Sequence, residues 1–184
     1  MKIIPTTFDE VLLVELTTHT DDRGYFIELF NKNLFAMHGI GRTFIQDNHS
    51  FSHQSGTIRG LHYQLNPKAQ SKLVRVMKGA IYDVVVDIRT DSETIGKWES
   101  FLLTEDNHRQ LFVPKGFAHG FCTLVRDTEV QYKVDEYYSR EHERGIRWNT
   151  SELHIDWPMT NPILSAKDKK LPDFSEVEKM SIGD

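Results

Sequence analysis

The sequence predicts a mostly β protein, a sandwich or barrel of short strands with small helices at its margins. The middle of the chain carries a series of strand-like segments separated by turn residues, namely KLVRVM, IYDVVVDIR, HRQLFVP, HGFCTLV and EVQYKVDEYY. Short strands at regular spacing are typical of sandwiches and barrels. Helical signals are weaker and occur in NKNLFAMHG, which closes on Gly39, and in LSAKDKKL, where Ser165 is suited to cap a short turn.

Two local patterns within this series make specific structural predictions. KLVRVM and IYDVVVDIR flank the turn pair Lys78 and Gly79, which predicts that these two segments form a hairpin. In EVQYKVDEYY, side-chain alternation places Val130, Tyr132 and Val134 on one face of a strand. Tyr132 should therefore point toward the interior.

Length and composition favour one globular domain over residues 1–184. A chain of 184 residues with 39% hydrophobic content can bury a real core. No internal repeat, low-complexity tract or linker marks a boundary. The net charge of −5 gives no overall attraction to nucleic acid or to an anionic membrane, so neither is an expected partner.

The expected location is the cytoplasm. No apolar run approaches the roughly 20 residues needed to cross a bilayer, and acidic residues interrupt the start, where a signal peptide would be apolar. Cys122 is the single cysteine, so an intramolecular disulfide and a thiolate metal cluster are both excluded. This cysteine usage fits a reducing compartment.

A segment with one histidine in the C-terminal half of the chain suggests a β-barrel that holds no functional metal. VPKGFAHGF, residues 113–121, resembles the second half of the cupin signature, in which a histidine enters a β-barrel. The segment that matches the first half contains His62, Tyr63 and Gln64, with no glutamate at a suitable distance. A catalytic metal needs about three protein ligands, and only two histidines are evident. We therefore expect no metal.

Seven motifs, in order over residues 21–168, resemble the dTDP-4-dehydrorhamnose 3,5-epimerase family. They are DDRGYF, FIQDNHS, RGLHYQ, the lysine two residues after Gln70, VPKGFAHGF, EYY and LSAKD. The resemblance implies a cupin-type jelly roll that is usually a homodimer and acts on a nucleotide-linked 4-keto sugar without metal or cofactor. It also implies a step in the synthesis of dTDP-L-rhamnose.

The residues suit that chemistry. Inverting a carbon beside a ketone requires a base, an acid on the opposite face and a cation at the enolate oxygen. His62 suits the role of the base because imidazole titrates near neutral pH. Lys72 can supply the positive charge at the enolate oxygen. Tyr132 suits the role of the acid because its phenol is protonated at pH 7. The resemblance alone suggests that Asp168 bonds the far nitrogen of His62 and fixes its tautomer.

Each of these side chains also has a structural interpretation. A lone histidine such as His62 is more often a satisfied structural residue, and a tyrosine such as Tyr132 more often a core aromatic. The motif context favours the catalytic roles for both. For His119 we favour contact with the substrate over a role in holding the pocket, and we leave His49 outside the catalytic set.

Substrate binding is expected to depend on charge and on flat apolar faces. Arg23 and Arg59 suit a diphosphate because the guanidinium fork matches phosphate oxygens, and the resemblance adds Lys167. Phe26 and Tyr138 offer flat faces, and Tyr138 resembles the family's stacking partner for thymine. Polar candidates for the sugar hydroxyls or the base edge are Glu28, Gln46, Asp47, Asn48 and Glu143.

The resemblance thus implies an isomerase that inverts C3 and C5 of dTDP-4-dehydro-6-deoxy-D-glucose. Two alternatives remain, and the first of them would use almost the same pocket. One is a related enzyme that inverts a single carbon or shifts the keto group, and the other is a barrel that only binds a nucleotide sugar. The combination of His62, Lys72, Tyr132 and Asp168 argues against simple binding, because binding alone needs no opposed base and acid.

Overall fold

The computed structural model describes residues 1–181 as two facing antiparallel sheets with a small separate hairpin. One helix, α1 (Lys32–Met37), and two 3-10 turns, Asp168–Lys170 and Phe174–Glu176, accompany the strands. The strands are β1 (Lys2–Ile4), β2 (Leu12–Glu15), β3 (Thr18–Asp21), β4 (Gly24–Ile27), β5 (Gln46–Ser52), β6 (Ile58–Gln64), β7 (Lys72–Lys78), β8 (Ala80–Asp87), β9 (Trp98–Thr104), β10 (Arg109–Val113), β11 (Phe117–Thr123), β12 (Thr128–Val134) and β13 (Glu143–Gly145).

The strand order interleaves distant parts of the chain. The first sheet has the order β1-β2-β10-β7-β12-β5, the second has the order β13-β6-β11-β8-β9, and β3 pairs with β4 in the hairpin. The named strands pair antiparallel throughout. The six-stranded and five-stranded sheets are therefore the two walls of a sandwich.

The predicted hairpin of β7 and β8 is wrong. These strands belong to different sheets, and the chain passes from one wall to the other at Gly79. Gly79 has a φ of +84°, and an added Cβ would lie 2.6 Å from the Thr128 hydroxyl oxygen. A tight turn signal marks the reversal but does not distinguish a hairpin from a corner between sheets. Here Val74 and Val85 pack across the interior instead of pairing side by side.

The main core lies between the two walls and confirms the inward direction of Tyr132. Val74 and Val130 from the six-stranded sheet pack with Val85 and Phe121 from the five-stranded sheet. Tyr132 is partly buried against this cluster. Burial of these side chains is the principal stabilising term for the sandwich.

Both walls are covered on their outer faces. Helix α1, whose N-terminus is capped by the Asn31 side chain, places Phe35 against the six-stranded sheet. Trp157 and Met180 from the C-terminal segment pack on the five-stranded sheet. Over residues 1–181, the structure contains no helix with both the length and the apolar character of a membrane span.

Candidate active site

A cavity of about 460 Å³, which we call the main cavity, opens between the two sheets. A second cavity of about 340 Å³, the side cavity, adjoins it. His62, Lys72 and Tyr132 line both. The main cavity is further lined by Ser50, Thr57, Ile58, Arg59, His119, Phe121, Ile163, Leu164, Ser165, Lys167 and Asp168. The side cavity is further lined by Gln46, Asn48, Tyr63, Gln64, Gln70, Tyr138 and Glu143.

His62 and Asp168 form a close pair. The His62 Nε2 atom lies 2.7 Å from Asp168 Oδ1, and the Asp168 side chain is only 5% exposed. Burial opposes ionisation of Asp168, but the hydrogen bond and charge of His62 outweigh it and hold the carboxyl pKa below its ordinary value. Because Nε2 faces the carboxylate, the Nδ1 atom is the ring nitrogen available to accept a proton.

Ser165 fixes the turn that carries Asp168. The Asp168 backbone N–H donates to the Ser165 hydroxyl at 3.0 Å. The N-cap residue of the turn is Lys167, which makes no side-chain cap bond, so Ser165 holds the turn from two residues further back. The turn Asp168–Lys170 then continues with the Lys169 N–H bonded to the Ser165 carbonyl at 3.1 Å. Local hydrogen bonds within this segment, which contains no strand, therefore hold the Asp168 carboxylate in position.

A bulge in β6 brings Arg59 to the same side as His62. His62 lies opposite His119 and Arg59 opposite Phe121, so the two residues between them on β6 match the single residue Gly120 on β11. Residues at positions 59 and 62 would face opposite sides of a regular strand, and the extra residue of a bulge removes that difference. Sequence alternation alone could not have placed both side chains in one cavity.

Gly60 allows β6 and β11 to approach closely beside this pair. Gly60 has a φ of +132°, and an added Cβ would lie 2.5 Å from the Gly120 Cα atom. Any larger residue would push apart the strands that carry His62 and His119. The glycine in RGLHYQ therefore sets the position of the nearby His62.

Lys72 lies in the wall opposite His62 and is held near it. Its Nζ atom donates to the His62 carbonyl at 3.1 Å. Burial lowers the pKa of Lys72 to about 8, and the negative charges of Asp83 and Glu143 act in the opposite direction. The ammonium thus stays near its titration point, where nearby anionic charge has a large effect on its ionisation.

Asp83 is a buried site residue that the sequence analysis missed. It is fully buried, and its two oxygens lie 2.9 and 3.0 Å from His119 Nε2. A buried carboxylate needs a partner, so an aspartate within the apolar run IYDVVVDIR was a usable signal. The pair orients the His119 ring where it lines the cavity.

Tyr132 enters the same space from the six-stranded sheet. Burial raises the pKa of its phenol, while the charge of Arg59 lowers it and that of Glu143 raises it. The phenol therefore keeps its proton at neutral pH. Over residues 1–181 no protein group accepts a hydrogen bond from its hydroxyl. The proton is available to whatever occupies the cavity.

Tyr138, Glu143 and Lys167 are linked at the rim. The Tyr138 hydroxyl donates to Glu143 at 2.8 Å, and Glu143 also forms an ion pair with Lys167. Burial opposes ionisation of Glu143, but the bonds from Lys167 and Tyr138 hold its pKa below the ordinary value. Tyr138 remains 56% exposed. This rim joins the two cavities and offers one exposed aromatic face.

The cavities are also lined by Gln46, Asn48, Arg59 and His119. Four other residues that were predicted to bind the substrate do not line either cavity within a single chain. Asp47 points to the outer face of β5, where it pairs with Lys133 at 2.8 Å. Strand alternation explains this, because Gln46 and Asn48 face inward. The other three are on or beside the β3–β4 hairpin: Arg23 pairs with Asp21, Phe26 is exposed and Glu28 accepts from Asn31.

Histidine and carboxylate side chains are paired here, not clustered. Residues 1–181 contain no group of three or more His, Cys, Asp or Glu side chains arranged to hold a metal ion. His62 Nε2 bonds Asp168, and His119 Nε2 bonds Asp83. Beside these pairs, an imidazole, a phenol and an ammonium group, those of His62, Tyr132 and Lys72, line one cavity.

The chain matches a family model described as dTDP-4-dehydrorhamnose 3,5-epimerase over residues 5–176. A protein of that name from Shigella flexneri is 49% identical over 170 residues, which cover 91% of this chain and 93% of the relative. The resemblance inferred from the seven motifs is thereby confirmed.

Solved structures support the same conclusion. The dTDP-4-dehydrorhamnose 3,5-epimerase from Bacillus anthracis strain Ames, with TDP and PPi bound, has a TM-score of 0.92 and 57% identity, covering 94% of this chain and 98% of that one. A dTDP-6-deoxy-D-glucose-3,5-epimerase from Legionella pneumophila Philadelphia 1, in complex with dTDP-4-keto-L-rhamnose, has a TM-score of 0.90 and 41% identity, covering 96% and 94%. The predicted cupin-type jelly roll is confirmed.

Proposed function

The chain belongs to the dTDP-4-dehydrorhamnose 3,5-epimerase family, and from this premise we propose the reaction and the role of each site residue. The enzyme inverts C3 and C5 of dTDP-4-dehydro-6-deoxy-D-glucose and gives dTDP-4-dehydro-L-rhamnose, in the synthesis of dTDP-L-rhamnose. One observation carries the proposal: His62 and Tyr132 project from facing sheets into one cavity. A sugar ring between them has a base on one face and an acid on the other.

Each inversion proceeds by proton removal and return. The Nδ1 atom of His62 takes the proton from the carbon beside the ketone, and the C–H electron pair moves to form an enolate. The Lys72 ammonium stabilises the enolate oxygen. The Tyr132 hydroxyl then delivers its proton to the opposite face of the carbon. Solvent takes the proton from the imidazolium and reprotonates the phenolate, so no redox cofactor is consumed.

The rim and the inner face of β5 hold the nucleotide. Arg59, whose Nη2 atom donates to the Phe51 carbonyl at 2.9 Å, faces the diphosphate together with Lys167. The exposed ring of Tyr138 stacks on thymine, which adds about 0.5–1.5 kcal/mol beyond burial. Gln46, Asn48, His119 and Glu143 supply hydrogen bonds to the sugar or the base.

The proposal includes a homodimer in which the β3–β4 hairpin of one subunit reaches the cavity of the other. This arrangement would give roles to Arg23, Phe26 and Glu28. Tyr25 and Phe26 are 65% and 70% exposed on the hairpin, and adjacent exposed aromatic residues are typical of interaction surfaces. Mixed subunits of inactive Arg23→Ala and His62→Gln variants should regain inversion, and mixtures that stay inactive would exclude a shared site.

We retain the cytoplasm as the proposed location. Cys122 is buried, and burial raises its thiol pKa to about 11, so it remains an unreactive thiol. Localisation of the tagged full chain by fractionation tests this assignment.

The central test follows deuterium into the sugar. The enzyme is incubated with dTDP-4-dehydro-6-deoxy-D-glucose in deuterated water, and label is located by NMR. We expect label at both C3 and C5 together with the L-configured product. Label at one carbon would support a mono-epimerase instead, and no label would exclude both activities.

Lys72 gives the reaction a predicted pH limit. Since the ammonium must be charged, kcat/KM should fall about tenfold per pH unit above about pH 8. Lys72→Arg keeps a positive charge and should move this fall to higher pH, at a lower maximal rate. A pH profile of both enzymes measures this, and an unchanged upper limit in the arginine variant would assign it to another group.

Unfolding does not account for that loss. The folded pKa of Lys72 is about 8 and its ordinary value is 10.5. Between these values the unfolded chain binds more protons at this residue, so its contribution to stability increases with pH. Thermal unfolding at pH 7 and pH 9 serves as the control.

A further inference from the structure

Ser50 is a cavity residue to which the mechanism above gives no role. Its hydroxyl oxygen is buried and lines the main cavity, and over residues 1–181 it has no hydrogen-bond partner. Buried hydroxyls are normally paired, because desolvation without a partner costs free energy. The orphaned hydroxyl therefore points to a partner supplied by the ligand.

The neighbours of Ser50 on β5 have their own partners. Gln46, Asn48, Ser50 and Ser52 share the inner face of this strand. The Gln46 amide donates to Asn48 at 2.9 Å, and the Ser52 hydroxyl accepts from Arg59 Nε at 3.2 Å. Among these four side chains, Ser50 is thus the one that makes no hydrogen bond with residues 1–181 of the protein.

The register places Ser50 between the diphosphate end and the reacting carbons. Asn48 lies opposite Tyr132 and Ser50 opposite Val130, while Ser52 holds Arg59 one step further along β5. Each step of two residues is about 7 Å. With Arg59 at the diphosphate on C1 and Tyr132 at a reacting carbon, Ser50 faces the ring atoms between them.

Two sugar atoms occupy that interval, the C2 hydroxyl on the path from C1 to C3 and the ring oxygen on the path from C1 to C5. A serine hydroxyl has one donor and two acceptor sites. The ring oxygen only accepts, whereas the C2 hydroxyl both donates and accepts. The C2 hydroxyl is therefore the better match for a serine with no other partner.

We propose that Ser50 hydrogen-bonds the C2 hydroxyl of the sugar and makes the enzyme discriminate against 2-deoxy-4-keto sugar nucleotides. This inference rests on the proposed function. It identifies a specificity-determining residue that takes no part in proton transfer.

The test is a cycle of two enzymes and two substrates. We compare kcat/KM of the wild type and Ser50→Ala on dTDP-4-dehydro-6-deoxy-D-glucose and on its 2-deoxy analogue. Loss of either the serine hydroxyl or the C2 hydroxyl should lower kcat/KM roughly tenfold, as for one hydrogen bond. Loss of both should lower it no further, because the interaction is already absent.

Ser71→Ala is the matched control. Ser71 also has a buried, unpaired hydroxyl but does not line either cavity, so its replacement should affect both substrates equally. Melting temperatures verify folding, and Ser50→Cys, which keeps a similar size with weaker hydrogen bonding, replaces the alanine variant if that variant does not fold.

The outcomes separate the two proposals. Independent losses that multiply to about 100-fold would overturn the role of Ser50 while leaving the epimerase activity intact. A wild-type enzyme that neither labels nor inverts the parent sugar would overturn the proposed function, and the role of Ser50 with it.

Discussion

Replacing His62 with glutamine should abolish deuterium exchange at both C3 and C5 while the fold persists. Loss of a general base typically costs about 10²–10⁴-fold in rate. The glutamine amide can reach toward the position of Nε2 and bond Asp168, but it offers no basic nitrogen at the position of Nδ1. His62→Ala would instead leave the buried Asp168 carboxylate unpaired, at a cost of several kcal/mol in stability.

The measurement is NMR of label uptake together with titration of dTDP binding. Nucleotide affinity should stay within about threefold, because the imidazole acts in the transition state more than in the ground state. His53→Gln is the control, since it removes an exposed histidine that lies beside Asp127 and does not line the main cavity. Near-normal exchange in His62→Gln would show that another group removes the proton.

Tyr132→Phe should separate exchange from inversion. The phenylalanine keeps the ring packing but deletes the proton donor. The enolate still forms, and the protonated His62 exchanges its proton with solvent and returns deuterium to the original face. Inversion should fall by about 10²–10⁴-fold while label enters with retained configuration.

NMR of deuterium uptake and chromatography of the epimerised sugar, made on one preparation, measure both quantities. Tyr137→Phe is the control. It removes the hydroxyl of an exposed tyrosine that lines neither cavity, so this variant should behave like the wild type. Equal loss of exchange and inversion would contradict the division of roles. Undiminished inversion would mean that water or another residue delivers the proton.

Several strands of the two walls could be predicted from the sequence, because side-chain alternation and turn residues are local signals. Alternation in β12 correctly directed Tyr132 inward, and Asn31 to Met37 gave the expected helix. The assignment of β7 and β8 to a hairpin failed because their turn residues specify a reversal and not the partner strand. Partner choice depends on packing between the walls, which no short segment contains.

The site was predictable only in part, because its geometry also depends on contacts between distant segments of the chain. His62 and Asp168 are 106 residues apart, so their pairing came from family resemblance and not from the pattern of residues. The bulge that aligns Arg59 with His62 depends on the register between β6 and β11, which is a property of two strands together. Ser50, by contrast, could have been found from alternation in QDNHSFS, since it shares a face with Asn48.

The late position of Asp168 in the sequence gives the enzyme an order of assembly in time. Every strand of both sheets precedes it, and its segment is attached through bridges of Ile163 to Thr57 and of Met180 to Arg89. A ribosome releases the chain from its N-terminus, so a growing chain has the strands of both walls before it has this carboxylate. Until residue 168 has emerged and docked, His62 lacks the partner that orients it. In the proposed mechanism, catalytic competence therefore arises only after the strands of both walls and the segment that carries Asp168 have been synthesised.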